Sequence, residues 1–155
     1  MADPDRPLAR RGRKDAPAAG RWLQRTGQVP DLVLCSPARR ARGTWELAGD
    51  KLDAEPQVTF DQRIYGATAD TLLELARQTG SPIATLLIVG HEPALRELIL
   101  ALASAQPGDP GQDLLARVRV KFPTAAIAVL EFTGPWSNLS AGQARLAALA
   151  RPGEF

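Results

Sequence analysis

The chain has 155 residues, a length suited to one domain around one core. Hydrophobic residues at 45% and charged residues at 23% exclude a disordered or fibrous class, and the longest apolar runs, at 86–89 and 125–130, fall far short of the ~20 residues that cross a bilayer. The net charge of +2 conceals an asymmetry: residues 1–42 hold ten Lys/Arg against four Asp/Glu, the remainder nine against thirteen. A positive end suits an anionic partner, although a solvated basic helix face explains the same charges.

In chain order, residues 9–26 predict a helix that Gly27 ends and Pro17 opens or kinks, since proline has no N–H to donate. Leu32-Val33-Leu34-Cys35 predicts a short buried strand, stopped by Ser36-Pro37. Residues 38–48 predict a helix weakened by Gly43, and Val58-Thr59-Phe60 a brief strand. A helix over 69–79 follows, with Thr68 or Asp70 near its cap. Residues 83–89 read as the clearest buried strand, leading into Gly90-His91-Glu92-Pro93 and a helix with Leu95, Leu98, Ile99 and Leu102 on one stripe. Residues 106–112, with two prolines and two glycines, predict a surface loop. Residues 125–132 predict a strand, and 144–150 fit either a helix or a final strand after a turn over 136–142. The alternation of strand and helix predicts an α/β layered sheet.

Two strand-to-helix junctions concentrate polar chemistry. One holds Ser36, Arg39, Arg40 and Arg42; the other holds His91 and Glu92. Carboxyl ends of parallel strands are where α/β sheets bind ligands, and helix N-termini add free N–H groups that suit phosphate. Singly, each junction has a plain alternative: arginines at a helix start face solvent, and a lone histidine is more often structural than catalytic. Cys35 reads as a small buried hydrophobe. No acid or histidine near Ser36 in sequence would activate it, and His91-Glu92 lacks the further ligands of a metal site. No metal or organic cofactor is expected.

At these residues the sequence resembles the histidine phosphatase superfamily, in its SixA-type phosphohistidine phosphatase branch. Ser36-Pro37-x-x-Arg40-Ala41-x-x-Thr44 is similar to the family's second motif, and Gly90-His91-x-Pro93 to its late histidine motif. Asp5-Arg6-Pro7-Leu8 with Gly12, the Phe122-Pro123-Thr124-Ala125-Ala126 segment and the turn at Trp136 resemble that branch. The resemblance implies a three-layer α/β/α, phosphoglycerate mutase-like fold with a mostly parallel sheet. It implies covalent phosphoryl hydrolysis, in which one histidine attacks phosphorus while arginines and a second histidine hold the oxygens. By position, Arg40 would be the second-motif arginine, His91 the second histidine, and Arg6 an auxiliary phosphate ligand. Arg39, Arg42, Asp61 and Glu92 receive no role.

The resemblance also implies an opening strand ending in Arg-His, about fifteen residues before Arg6. Only five residues precede Arg6, and His91 is the sole histidine. The expectation is therefore a family phosphatase lacking its first, central strand, with activity impaired or absent in this chain. That strand is expected to be missing from between the strands feeding Arg40 and His91, leaving them ~10 Å apart at the usual ~4.8 Å spacing. A misassigned start within the loop, a non-catalytic phosphate- or phosphoprotein-binding relative, and a strand supplied in trans, with self-association through exposed sheet edges, are the alternatives. The implied partner is a phosphohistidine-bearing protein or a small phosphate ester. With a single cysteine and a polar, basic first fifteen residues, the expected location is the reducing cytoplasm, without membrane. A basic nucleic-acid-binding domain using Arg10, Arg11, Arg13, Lys14 and residues 39–42 would instead show steeply salt-dependent binding. It leaves the ordered motifs unexplained.

Overall fold

A computed structural model describes all 155 residues. After a 3-10 turn at Asp3–Asp5, α1 runs over Arg10–Arg25, β1 over Leu32–Cys35, α2 over Arg39–Gly49 and β2 over Gln57–Phe60. A second 3-10 turn at Gln62–Ile64 leads to α3 (Ala69–Arg77), β3 (Leu86–Val89), α4 (Ala94–Leu102) and α5 (Pro110–Val120). The chain closes with β4 (Ile127–Glu131), a 3-10 turn at Trp136–Asn138, and β5 (Arg145–Ala150).

The strands form two sheets. A parallel sheet has the order β2-β1-β3, with Leu32 opposite Gln57 on one side and Leu86 on the other. β4 and β5 form a separate antiparallel pair with a bulge at Val129/Leu130. β1 is central to the parallel sheet, and its alternating side chains feed different layers. Val33 and Cys35 pack with Leu23, Ala41, Trp45 and Leu52 under α1 and α2, whereas Leu34 joins Leu72, Leu75, Leu98 and Leu102 under α3 and α4. A third cluster joins Ile99, Leu115, Val118, Phe122 and Leu146, tying α4 and α5 to β5.

α1 continues through Pro17, packing Ala16, Ala19, Gly20 and Leu23 inward. At Gly20 the backbone of α2 comes so close that a Cβ would lie 2.1 Å from the Ala48 carbonyl oxygen. Thr68 caps α3 by accepting the Thr71 N–H. The loop expected over 106–112 ends early: Asp109 accepts the Gly111 N–H and Pro110 opens α5. Proline fits that first position because its missing N–H would have had no helical partner. The ambiguous 144–150 segment is strand, paired to β4.

Two expectations about the sheet are corrected. β1 and β3 are direct hydrogen-bonded neighbours, not strands held apart by a vacancy. Of the four unladdered edges, on β2, β3, β4 and β5, those of β3 and β4 face each other across an apolar cleft of about 490 Å³. Leu86, Ile88, Val129, Leu130, Leu98 and Trp136 are among its lining. The buried strand expected over 83–89 runs only over Leu86–Val89, and with one edge open it is half-buried along its whole length. Trp136 partly bridges the cleft's rim, donating its indole N–H to the Ile83 carbonyl at 2.7 Å.

Candidate functional site

The parallel register brings the three carboxyl ends of β1, β2 and β3 to one level. Ser36 N–H donates to Val89 O at 2.9 Å, and Asp61 N–H to Cys35 O at 3.0 Å. Each strand end then delivers a side chain. β1 gives Ser36 and, one turn into α2, Arg40; β3 gives His91; β2 gives Tyr65, after Asp61 caps the intervening turn through the Arg63 N–H.

Ser36 and His91 meet at 2.7 Å between Oγ and Nε2. Ser36 is fully buried, and its Oγ also accepts the Ala38 N–H at 3.2 Å. With no exposed surface it cannot reach a substrate, so the pair is not a serine nucleophile and its base. The hydroxyl instead fixes the imidazole and leaves Nδ1 as the ring nitrogen free for a ligand. The Tyr65 ring stands edge-on to the imidazole at 5.5 Å. Burial, with the nearby positive charge of Arg40 second, holds the His91 pKa below its usual value.

Arg40 points back to the N-terminal segment. One guanidinium nitrogen donates to the Asp3 carbonyl at 3.0 Å, another to Asp3 Oδ2 at 3.2 Å. The Tyr65 hydroxyl donates to the same Oδ2, and Arg6 donates to Oδ1. The Tyr65 hydrogen bond, followed by the Arg6 hydrogen bond, lowers the Asp3 pKa to about 2. Arg6, Arg40 and His91, selected from sequence, therefore surround one place. Asp3, Tyr65 and the Ser36–His91 contact were not foreseen.

The other sequence candidates lie outside this cluster. Arg42 stacks over the exposed Phe60 ring at 5.1 Å, and Arg39 is solvent-facing. Asp61 is occupied with Arg63, and Glu92 lies 4.0 Å from Arg96. Burial pushes the Cys35 thiol up to about 12, keeping it protonated.

Residues 2–65 match the model of the histidine phosphatase superfamily, branch 1. An uncharacterised protein of Mycobacterium tuberculosis is 42% identical over 146 residues, covering 94% of this chain and 89% of that protein. One from Mycobacterium leprae is 38% identical over 98% of this chain and 90% of its own length. Among solved structures, a protein assigned as the phosphohistidine phosphatase SixA of Nakamurella multipartitia superposes with a TM-score of 0.82 at 32% identity, over 98% of this chain and 88% of that one. Its counterpart assigned in Agrobacterium tumefaciens gives 0.79 at 25% identity, over 98% and 87%.

Proposed function

The chain belongs to the histidine phosphatase superfamily, in its SixA-type branch, and from that premise we propose that Arg40, His91 and Arg6 bind the phosphoryl group of a phosphorylated histidine on a partner protein. The observation that carries this reading is the convergence of Arg40 and Arg6 on one anion beside the His91 imidazole.

A phosphoryl group has three charged or partly charged oxygens. A guanidinium fork satisfies two with charge-assisted hydrogen bonds, which are about twice as strong as neutral ones. His91, with Nε2 occupied by Ser36, offers Nδ1 to a further oxygen. Its lowered pKa leaves the ring neutral near pH 7 before a phosphoryl group binds; a bound dianion favours the protonated ring. The site is therefore tuned to gain a proton as it gains a phosphoryl group.

Hydrolysis by the family route needs a second histidine. That histidine bonds to phosphorus as the phosphorus–nitrogen bond of the substrate breaks, and water later attacks the phosphoenzyme. His91 is the only histidine of the 155 residues, so the chain alone binds without turnover. The cleft between β3 and β4 has room for a further strand. An extended strand there would satisfy both open edges, and if its end were level with Val89 it would deliver its last side chain beside His91.

The test is a phosphohistidine-bearing protein domain offered to the purified chain, with inorganic phosphate release and complex formation both measured. Complex formation that disappears in Arg40→Ala, without phosphate release, is expected. Sustained release by the chain alone would refute the two-histidine requirement. Equal binding of the phosphorylated and unphosphorylated domains would remove the phosphoryl reading itself.

A further inference from the structure

The carboxylate of Asp3 sits where the proposed site would hold its ligand. Both of its oxygens are engaged: Oδ2 by Arg40 and Tyr65, Oδ1 by Arg6. Two guanidinium groups and a phenol are more than a half-exposed aspartate in a three-residue turn needs, because water would solvate it at no cost. Two of these three donors are the arginines assigned to the phosphoryl group. A carboxylate presents two oxygens sharing one negative charge, much as one edge of a phosphoryl group does.

The attachment of the segment points the same way. Within residues 1–6 the backbone bonds, Asp5 N–H to Ala2 O and Arg6 N–H to Asp3 O, are internal. Every hydrogen bond from these residues to the rest of the protein runs through Asp3, to Arg40 or Tyr65. The turn at Asp3–Asp5 buries no residue. The hydrogen bonds that join residues 1–6 to the rest of the protein thus meet at one residue, and that residue lies in the binding pocket. Beyond it, Leu8 anchors the chain against Gly12 and Gly43.

The structure assigns Asp3 as an internal occupant of the phosphoryl pocket, displaced when a phosphoryl group binds, and Tyr65 as a further ligand that passes its hydroxyl hydrogen bond from Asp3 to the incoming oxyanion. This rests on the phosphoryl-binding reading and adds to it a residue from the β2 end of the sheet and a competitor built into the chain. Tyr65 is suited to the role because its ring is already braced edge-on against His91, so its hydroxyl is held between the imidazole and the arginine fork. With Asp3 in place, the pocket pairs one carboxylate with two arginines. With Asp3 withdrawn, both arginines face the ligand, and the match to a dianion is complete.

Competition of this kind reduces apparent affinity by the fraction of molecules whose pocket is free, so a pocket self-occupied about nine-tenths of the time binds about tenfold more weakly than an open one. The experiment is a calorimetric titration of tungstate, with inorganic phosphate as a second probe, into wild type, Asp3→Asn, Tyr65→Phe, Asp3→Asn/Tyr65→Phe and Arg40→Ala. Asp3→Asn is expected to bind about tenfold more tightly than wild type, and adding Tyr65→Phe to remove most of that gain. Backbone hydrogen exchange at residues 2–5, ahead of the ligand Arg6, should speed up on saturation of wild type with tungstate, a response that a purely structural Asp3 would not give. If Asp3→Asn binds no better than wild type while Arg40→Ala abolishes binding, Asp3 is not a competitor and the pocket reading survives. If Asp3→Asn/Tyr65→Phe binds as tightly as Asp3→Asn, Tyr65 is not a ligand. If Arg40→Ala binds like wild type, or no variant binds, the phosphoryl pocket itself is wrong.

Discussion

The two edges of β3 have opposite fates. One is laddered to β1 residue for residue, and its carboxyl end delivers His91 to a pocket where Ser36, Arg40, Tyr65 and Asp3 all have partners. No buried side-chain nitrogen or oxygen in the protein lacks a hydrogen bond. The other edge has no ladder and looks across an apolar cleft toward β4. Packing on the first side is closed, so a lost atom there leaves a void; on the second side space already exists. The polar pocket is consequently pre-built, while the apolar region beside it is open.

Truncations should separate these sides most strongly. Leu72 is fully buried and does not line the cleft, so Leu72→Ala should cost about 2–5 kcal/mol in urea unfolding. Ile88, half-buried beside the cleft, should cost only about 1–2 kcal/mol as Ile88→Ala, because part of its surface already lacks packing partners. Equal costs would mean the cleft is closed in solution. The reverse substitution sharpens the contrast: Ala128→Leu, directed at the cleft lining, should change stability by less than about 1 kcal/mol. Ala16→Leu, at a fully buried position of α1, should cost about 1–3 kcal/mol.

On the polar side, Arg40→Ala should weaken tungstate binding by at least about 30- to 100-fold, enough to abolish it at concentrations that saturate wild type, through the loss of two charge-assisted hydrogen bonds in a partly exposed site. Ser36→Ala, which releases the His91 imidazole and also leaves the Ala38 N–H without its acceptor, should weaken tungstate binding by about three- to tenfold, since one hydrogen bond contributes ~1 kcal/mol. It should also alter the pH profile of binding, which a nearby packing defect would leave in place.

The smallest effect is in the pH dependence of stability. His91 is harder to protonate when folded, so in the window below its usual pKa of 6.5 the unfolded chain binds more protons. Stability therefore rises with pH across that window and the contribution is level above it. His91→Asn should flatten this slope in the window just below pH 6.5. A slope of the opposite sign would mean that the folded protein favours the charged ring even without a ligand.

Local signals carried much of the fold. Leu32–Cys35 was legible because a four-residue apolar run stops at Ser36-Pro37, and it forms the predicted strand. α5 was hidden because Pro110 and Gly111 look like a loop until Asp109 is seen as a cap. The position of the open edge was not legible, since strand order depends on long-range pairing that no local pattern encodes. For the site, Arg6, Arg40 and His91 stood in recognisable motifs, but Tyr65 meets Asp3 across 62 positions and Ser36 meets His91 across 55. A hint was present at Tyr65: the only tyrosine follows a predicted strand end by five residues, where a parallel sheet presents its ligands.

Because the protein has one histidine, its imidazole resonances belong to a single residue and report on the pocket without ambiguity. A tungstate titration followed by imidazole NMR should shift those resonances saturably and raise the His91 pKa, and Arg40→Ala should abolish both responses. Imidazole signals that ignore tungstate while it binds elsewhere would contradict the placement of the phosphoryl group between Arg40 and His91.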